Sequence, residues 1–169
     1  MKLGKIALLN IGLLLLVVQV KSVSPSPRHS LKGISAVAIR IDALPEYMRV
    51  DGISELSIKD NIEKQLKEAK IRVVEYEKWQ TTLGGSYLYI KIIPGKTYSG
   101  EKYVIYTQIE LMQSVTLIRA QVEQNRLITA NTWSAGKLMN CVTESVDTCL
   151  QSSIKQIVEI FVNEFKKMN

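Results

Sequence analysis

The feature that most constrains this chain is a long run of strict alternation. From Tyr103 to Ile118 the residues Tyr103, Ile105, Thr107, Ile109, Leu111, Val115 and Leu117 fall on one side. Val104, Tyr106, Gln108, Glu110, Ser114 and Thr116 fall on the other. A period of two sustained this far belongs to a strand with one buried and one wetter face, as in an antiparallel sheet covered on one side only. Such a face must be buried against something, and two stretches of helical periodicity supply the cover. In Ser54–Lys70, Ile58, Ile62, Leu66 and Ala69 form one stripe. Ser54 is placed to cap it, Glu55 suits the positive end of the helix, and Ile53 with Ile58 occupies the two positions of a hydrophobic staple. In Ser145–Lys167, Val146, Leu150, Ile154, Ile157, Phe161 and Phe165 do the same, with Ser145 as candidate cap and Lys166 and Lys167 at the negative end.

Four further segments read as strands. Ser35–Asp42 alternates Val37, Ile39 and Ile41 against Ala36, Ala38, Arg40 and Asp42. Ile71–Tyr76 follows the first helix with almost no loop, and Ser86–Ile93 runs into the Pro94-Gly95 turn. Leu127–Ala135 returns from a hairpin tip at Gln124-Asn125-Arg126, with Gly136 interrupting it. The order is β-α-β-β-β-β-α. The expected fold is α+β, a two-layer sandwich with a mostly antiparallel five-stranded sheet and both helices on one face.

The N-terminus is read apart from this body. Met1 to Lys5 is short and basic, and Ile6 to Val20 is an apolar run shorter than the roughly 20 residues that span a bilayer. This is the layout of a secretory signal, residues 1–22, with cleavage expected after Ser22. The alternative is an uncleaved leader that anchors the chain. Residues 23–32, rich in Pro and Ser, read as a flexible tether, and 33–169 as a single α+β domain. The formal charge of +6 includes Lys2, Lys5 and Lys21, so only +3 remains on residues 23–169. That balance gives no support to a nucleic-acid partner.

Chemistry-bearing residues are few. His29 is the single histidine of the 169 residues and lies in the Pro/Ser-rich stretch, which argues against a Ser-His-Asp triad. Cys141 and Cys149 are the whole thiol complement, too few for a four-cysteine zinc site. In an exported protein they are expected to form a disulfide at the junction of the last strand and the last helix. Their spacing is not the C-x-x-C of redox pairs. Neither lies near the expected cleavage point, so no lipid attachment is expected. The most unusual stretch runs from Trp79 to Tyr89. Gly84-Gly85 belongs neither to G-x-G-x-x-G nor to a P-loop. Trp79, Gly84, Gly85, Tyr87 and Tyr89 form a candidate aromatic-rimmed binding loop, or else a connection that lets Trp79 cover the core. Ser134 and Lys137 would face opposite sides of a strand, and Glu75 with Glu77 is expected on one strand face beside Lys78. Neither pair makes a strong catalytic site, and no cofactor or metal is expected.

The passage from Gly52 to Val73, GISELSIKDNIEKQLKEAKIRV, resembles the helix-to-strand unit of small bacterial envelope modules. In element order the chain also resembles the lipopolysaccharide-assembly lipoprotein of the outer membrane and the N-terminal domain of the Tol-system propeller protein, whose orders are comparable. TLGGSYLYIKI and TANTWSAG resemble segments of uncharacterised exported bacterial proteins. The resemblance implies an envelope protein with an envelope partner. The expected function is a non-enzymatic exported binding or envelope-assembly module acting by surface recognition, through a sheet edge or the Trp79–Tyr89 loop. The alternative is a small exported hydrolase with a Ser/Lys or carboxylate site.

Overall fold

The computed structural model describes residues 27–116 and 127–169. The expected signal, the start of the expected tether and the expected hairpin tip lie outside these residues. The sheet has four strands in the order β1 (Ala36–Ile41), β2 (Gly85–Lys96), β3 (Lys102–Thr116) and β4 (Leu127–Val142). β1 pairs parallel with β2, and the other two pairings are antiparallel, so the sheet is mixed. Among the described residues three α-helices accompany it: α1 (Glu46–Val50), α2 (Glu55–Glu68) and α3 (Val146–Met168). The fold is α+β, as the alternation and the helical stripes require.

Two expectations about the elements are corrected. The expected strand Ile71–Tyr76 is reduced to one parallel bridge, Val37 to Val73. Its two hydrogen bonds run from Val37 N to Arg72 O at 2.9 Å and from Val74 N to Val37 O at 3.1 Å. From Tyr76 the chain winds into a 3-10 helix, Tyr76–Thr81, before the ladder can extend. The sheet therefore has four strands rather than five, and α1 is a helix the periodicity did not announce. The expected interruption at Gly136 is also absent. β4 runs through it, and a Cβ there would lie 2.6 Å from the Tyr106 hydroxyl, so glycine lets that ring lie across the strand.

One face of the sheet makes the core. Val37, Ile39, Leu88, Ile90, Tyr103, Ile105, Ile109, Leu111 and Trp133 pack with Ile58, Ile62 and Leu66 of α2 and Leu150, Ile154, Ile157 and Phe161 of α3. The stripes are the ones the spacing predicts. Ser54 caps α2 by accepting from Ser57 N, whereas Ser145 makes no side-chain cap bond. Glu55 reaches back to accept from Leu44 N at 3.0 Å and from Arg49, tying α1 to α2. Trp133 anchors β4 to α3, with its ring 5.2 Å from Phe161 and its Nε1 donating to Glu164 at 2.6 Å.

Where a tether is expected, Pro27–Leu31 forms a 3-10 helix. Leu31 is fully buried, and Asn169 brackets it by donating to Leu31 O at 2.8 Å and accepting from Gly33 N at 2.9 Å. An apolar side chain followed by a positive-φ glycine gives the segment something to bury and a way to turn. The packed body thus starts ahead of Gly33. Cys141 and Cys149 are joined by a disulfide, with Cα atoms 6.1 Å apart. It pins the end of β4 to the first turn of α3.

Candidate functional site

The Trp79–Tyr89 stretch divides in two. The 3-10 helix Tyr76–Thr81 lays Trp79 against Ala38 and Tyr87 in a small second cluster. The Trp79 and Tyr87 ring centroids are 4.9 Å apart, and Tyr76 meets Tyr87 edge-on at 5.2 Å. Trp79 is only 4% exposed. The glycines serve backbone approach: a Cβ on Gly85 would lie 2.1 Å from Trp79 O, and one on Gly84 (φ +66°) would lie 2.7 Å from Gly33 O. Gly84 O accepts from Ser35 N at 3.0 Å, so the loop is sewn to the start of β1. A cleft of about 470 Å³ beside it is lined by Lys32, Thr82, Gly84, Gln113 and Ser114 among others. Trp79 and Tyr87 are thus brought together by packing, and Tyr89, two residues on along β2, packs against the margin of the same cluster.

Tyr89 belongs to the sheet face that the helices leave uncovered. Register places Arg40, Tyr89, Glu110 and Ser134 in one row across all four strands. The neighbouring row is Lys91, Gln108 and Gly136, and the next is Ile93, Tyr106 and Leu138. Arg40 Nη1 donates to the Tyr76 hydroxyl at 2.7 Å, and its guanidinium lies 5.2 Å from the Tyr76 ring centre and 5.7 Å from that of Tyr89. Lys91 Nζ lies 5.2 Å from the Tyr89 ring and pairs with Glu110 at 3.0 Å. The Tyr89 hydroxyl donates to Asp42. Two cations on one ring, each held by a further partner, make a rigid patch in which charge and aromatic surface alternate. The Tyr89 phenol is held above its ordinary value, first by that bond to Asp42 and then by desolvation. Burial, then the neighbouring Tyr76, raises Tyr87. Hydrogen bonding to Tyr76 raises Arg40 further. Beyond this patch the face turns apolar, with Ile93 59% and Leu138 66% exposed and Val104 exposed beside them.

A second cluster sits where α1 ends. Asp51 accepts from Lys96 Nζ at 2.6 Å and from the buried Tyr103 hydroxyl, and Tyr47 stacks on Tyr103 at 6.2 Å. Lys96, then Tyr103, holds the Asp51 carboxyl below the usual carboxylate range. Burial, then the Asp51 bond, raises Tyr103.

The other sequence candidates are placed apart. Ser134 lies in the open-face row, while Lys137 turns to the helix side and donates to Gln156. Glu75 and Glu77 do not share a strand face: Glu75 precedes the 3-10 helix and pairs with Lys78, and Glu77 lies within that helix. His29 is exposed. Among the described residues no group of three or more metal-ligating side chains converges, and no helix is long and apolar enough to cross a membrane. Arg40, Asp42, Lys91, Glu110 and Tyr106 were not singled out by sequence reasoning. The alternation puts them on the wetter face, but only the strand register joins them.

No family model matches the chain, and no curated protein matches it. Among solved structures, it is similar to two PelC dodecamers from Paraburkholderia phytofirmans. One, a single-substitution variant, shows 15% identity over 75% of this chain and 87% of that one, with a TM-score of 0.45. The other shows 14% identity over 75% and 85%, with a TM-score of 0.44.

Proposed function

We propose that the chain is a non-enzymatic, exported binding or envelope-assembly module that works by surface recognition, with another envelope protein or envelope component as partner. The observation that supports this reading best is the asymmetry of the sheet. One face is filled by α2 and α3, while the other presents the Arg40–Tyr89–Lys91–Glu110 patch next to exposed Ile93, Val104 and Leu138. A face that mixes a fixed ion pair, tyrosines and exposed aliphatic side chains has the composition of a recognition surface. The disulfide supports an oxidising compartment, and the basic, apolar start of the chain supports export.

The test is co-purification. The chain carrying Ile93→Asp and Leu138→Asp should lose the envelope component that the parent retains, and a Leu56→Asp control on the exposed side of α2 should keep it. Retention by both variants would set the open face aside. Recovery of the native protein from the cytosol with both thiols free would set aside export.

A further inference from the structure

We propose that the free edge of β4, over residues 134–138, takes up an extended segment of a partner protein as an added strand, and that it selects the pattern apolar–acidic–apolar. This deepens the surface-recognition reading and rests on it.

The two edges of the sheet are treated differently. The outer edge of β1 is met by the chain itself at Val37, whose N–H and carbonyl are both taken by the Val73 bridge. Among the described residues β4 has no strand beyond it. Backbone alternation says which of its groups point outward. Lys102 turns both its N–H and its carbonyl toward Thr97, on the β2 side, so the odd residues of β3 serve β4. Thr143 N turns inward to Glu101 O at 2.9 Å. The odd residues of β4 therefore bond β3, and Ser134, Gly136 and Leu138 direct N–H and C=O away from the sheet. The one register shift lies above this stretch, at Leu111/Met112. All three residues are exposed, and among the described residues no hydrogen bond reaches their outward backbone groups.

The window has closed ends. Above it, the Ser30 hydroxyl donates to Thr132 O at 2.9 Å. Below it, the Cys149 sulfur of the disulfide lies 3.9 Å from Asn140 O and covers that carbonyl. Between them is a span of roughly 17 Å, the length of an ordinary strand. Long edges left open are usually blunted by charges or bulges; this window carries a single charge, Lys137, beside the glycine at its centre.

The side chains define the partner. On the open face an incoming residue opposite Leu138 meets an exposed aliphatic group. One opposite Gly136 meets the Tyr106 ring rather than a side chain of β4. The residue between them faces Lys137, whose ammonium among the described residues meets the neutral Gln156 amide and no carboxylate. A carboxylate there gains a charge-assisted bond. An extended peptide carrying an acid between two apolar residues fits all three positions.

The test uses a displayed library of linear peptides selected against the full chain. Enriched peptides should carry the apolar–acidic–apolar pattern. Ser134→Pro deletes an outward N–H and no ladder bond, and should weaken them about tenfold, while Ser134→Ala leaves them unchanged. Lys137→Glu, which leaves the backbone intact, should switch the central preference from acidic to basic. An absence of enrichment, or equal binding by the parent, Ser134→Pro and Lys137→Glu, would overturn the proposal. Self-association of the chain abolished by Ser134→Pro would also overturn it, since the occupant would then be a second copy. If the edge fails while the open-face substitutions still abolish co-purification, only the edge assignment falls.

Discussion

Gly85 and Gly95 both lie in β2, but only one is irreplaceable. A Cβ at Gly85 would meet the Trp79 carbonyl at 2.1 Å, while one at Gly95 would meet Val104 O at an ordinary 3.6 Å. Gly85→Ala is expected to cost about 2 kcal/mol or more, since the blocking atom is backbone, and Gly95→Ala to stay within about 0.5 kcal/mol; urea melts of the two variants check this. Asp51 supplies a second test at this scale. Lys96 and Tyr103 lower its pKa in the fold. Its contribution is therefore complete above the unfolded carboxylate value, about pH 4, and is lost as pH falls through the depressed value. Lys96, raised by the same bond, keeps its charge until pH climbs past its own elevated value. The stability gap between the parent and Asp51→Asn should accordingly be flat around neutrality and should close at acidic pH. A gap that persists in acid would mean that Asp51 acts by shape rather than by charge.

Among the elements, the two helix starts form an internal comparison. Ser54 accepts from Ser57 N, and Ser145 makes no cap bond. Ser54→Ala should lower stability by about 1 kcal/mol, and Ser145→Ala should leave it nearly unchanged. Loss of the Cys141–Cys149 bond should cost roughly 2–3 kcal/mol in the chain-entropy view, because the closed loop is short; thermal melts with and without reductant measure it. The elements that could be read from the sequence are those whose partners lie within the element. The stripes of α2 and α3, the Ser54 cap with its staple, and the alternation of β3 all fall in this class. Ile71–Tyr76 misled because its β-branched residues suit a strand, yet its neighbour carries Trp79 back onto Ala38 and ends the ladder after one bridge. Gly136 misled because its reason, the Tyr106 ring, comes from another strand. The open-face patch was illegible for the same cause: Arg40, Tyr89 and Glu110 become neighbours only through the parallel β1–β2 and antiparallel β2–β3 registers.

For the whole molecule, burial is heavier on one side of the sheet, the small Ala38–Trp79–Tyr87 cluster covering one corner of the other. A single core joins α2, α3 and one face of the sheet, and the buried Leu31 extends it ahead of β1. The opposite face holds its charges in fixed pairs and leaves its aliphatic residues to solvent. Fixing such side chains in the free protein lowers the ordering cost on association. The proposed recognition requires that face to meet a partner. Its most direct measurement is photo-crosslinking in intact cells, with the probe placed in turn at Val104 on the open face and at Lys64 on α2. A discrete adduct from Val104 and none from Lys64 is the predicted result. Equal adducts from both positions, or none from Val104, would contradict it.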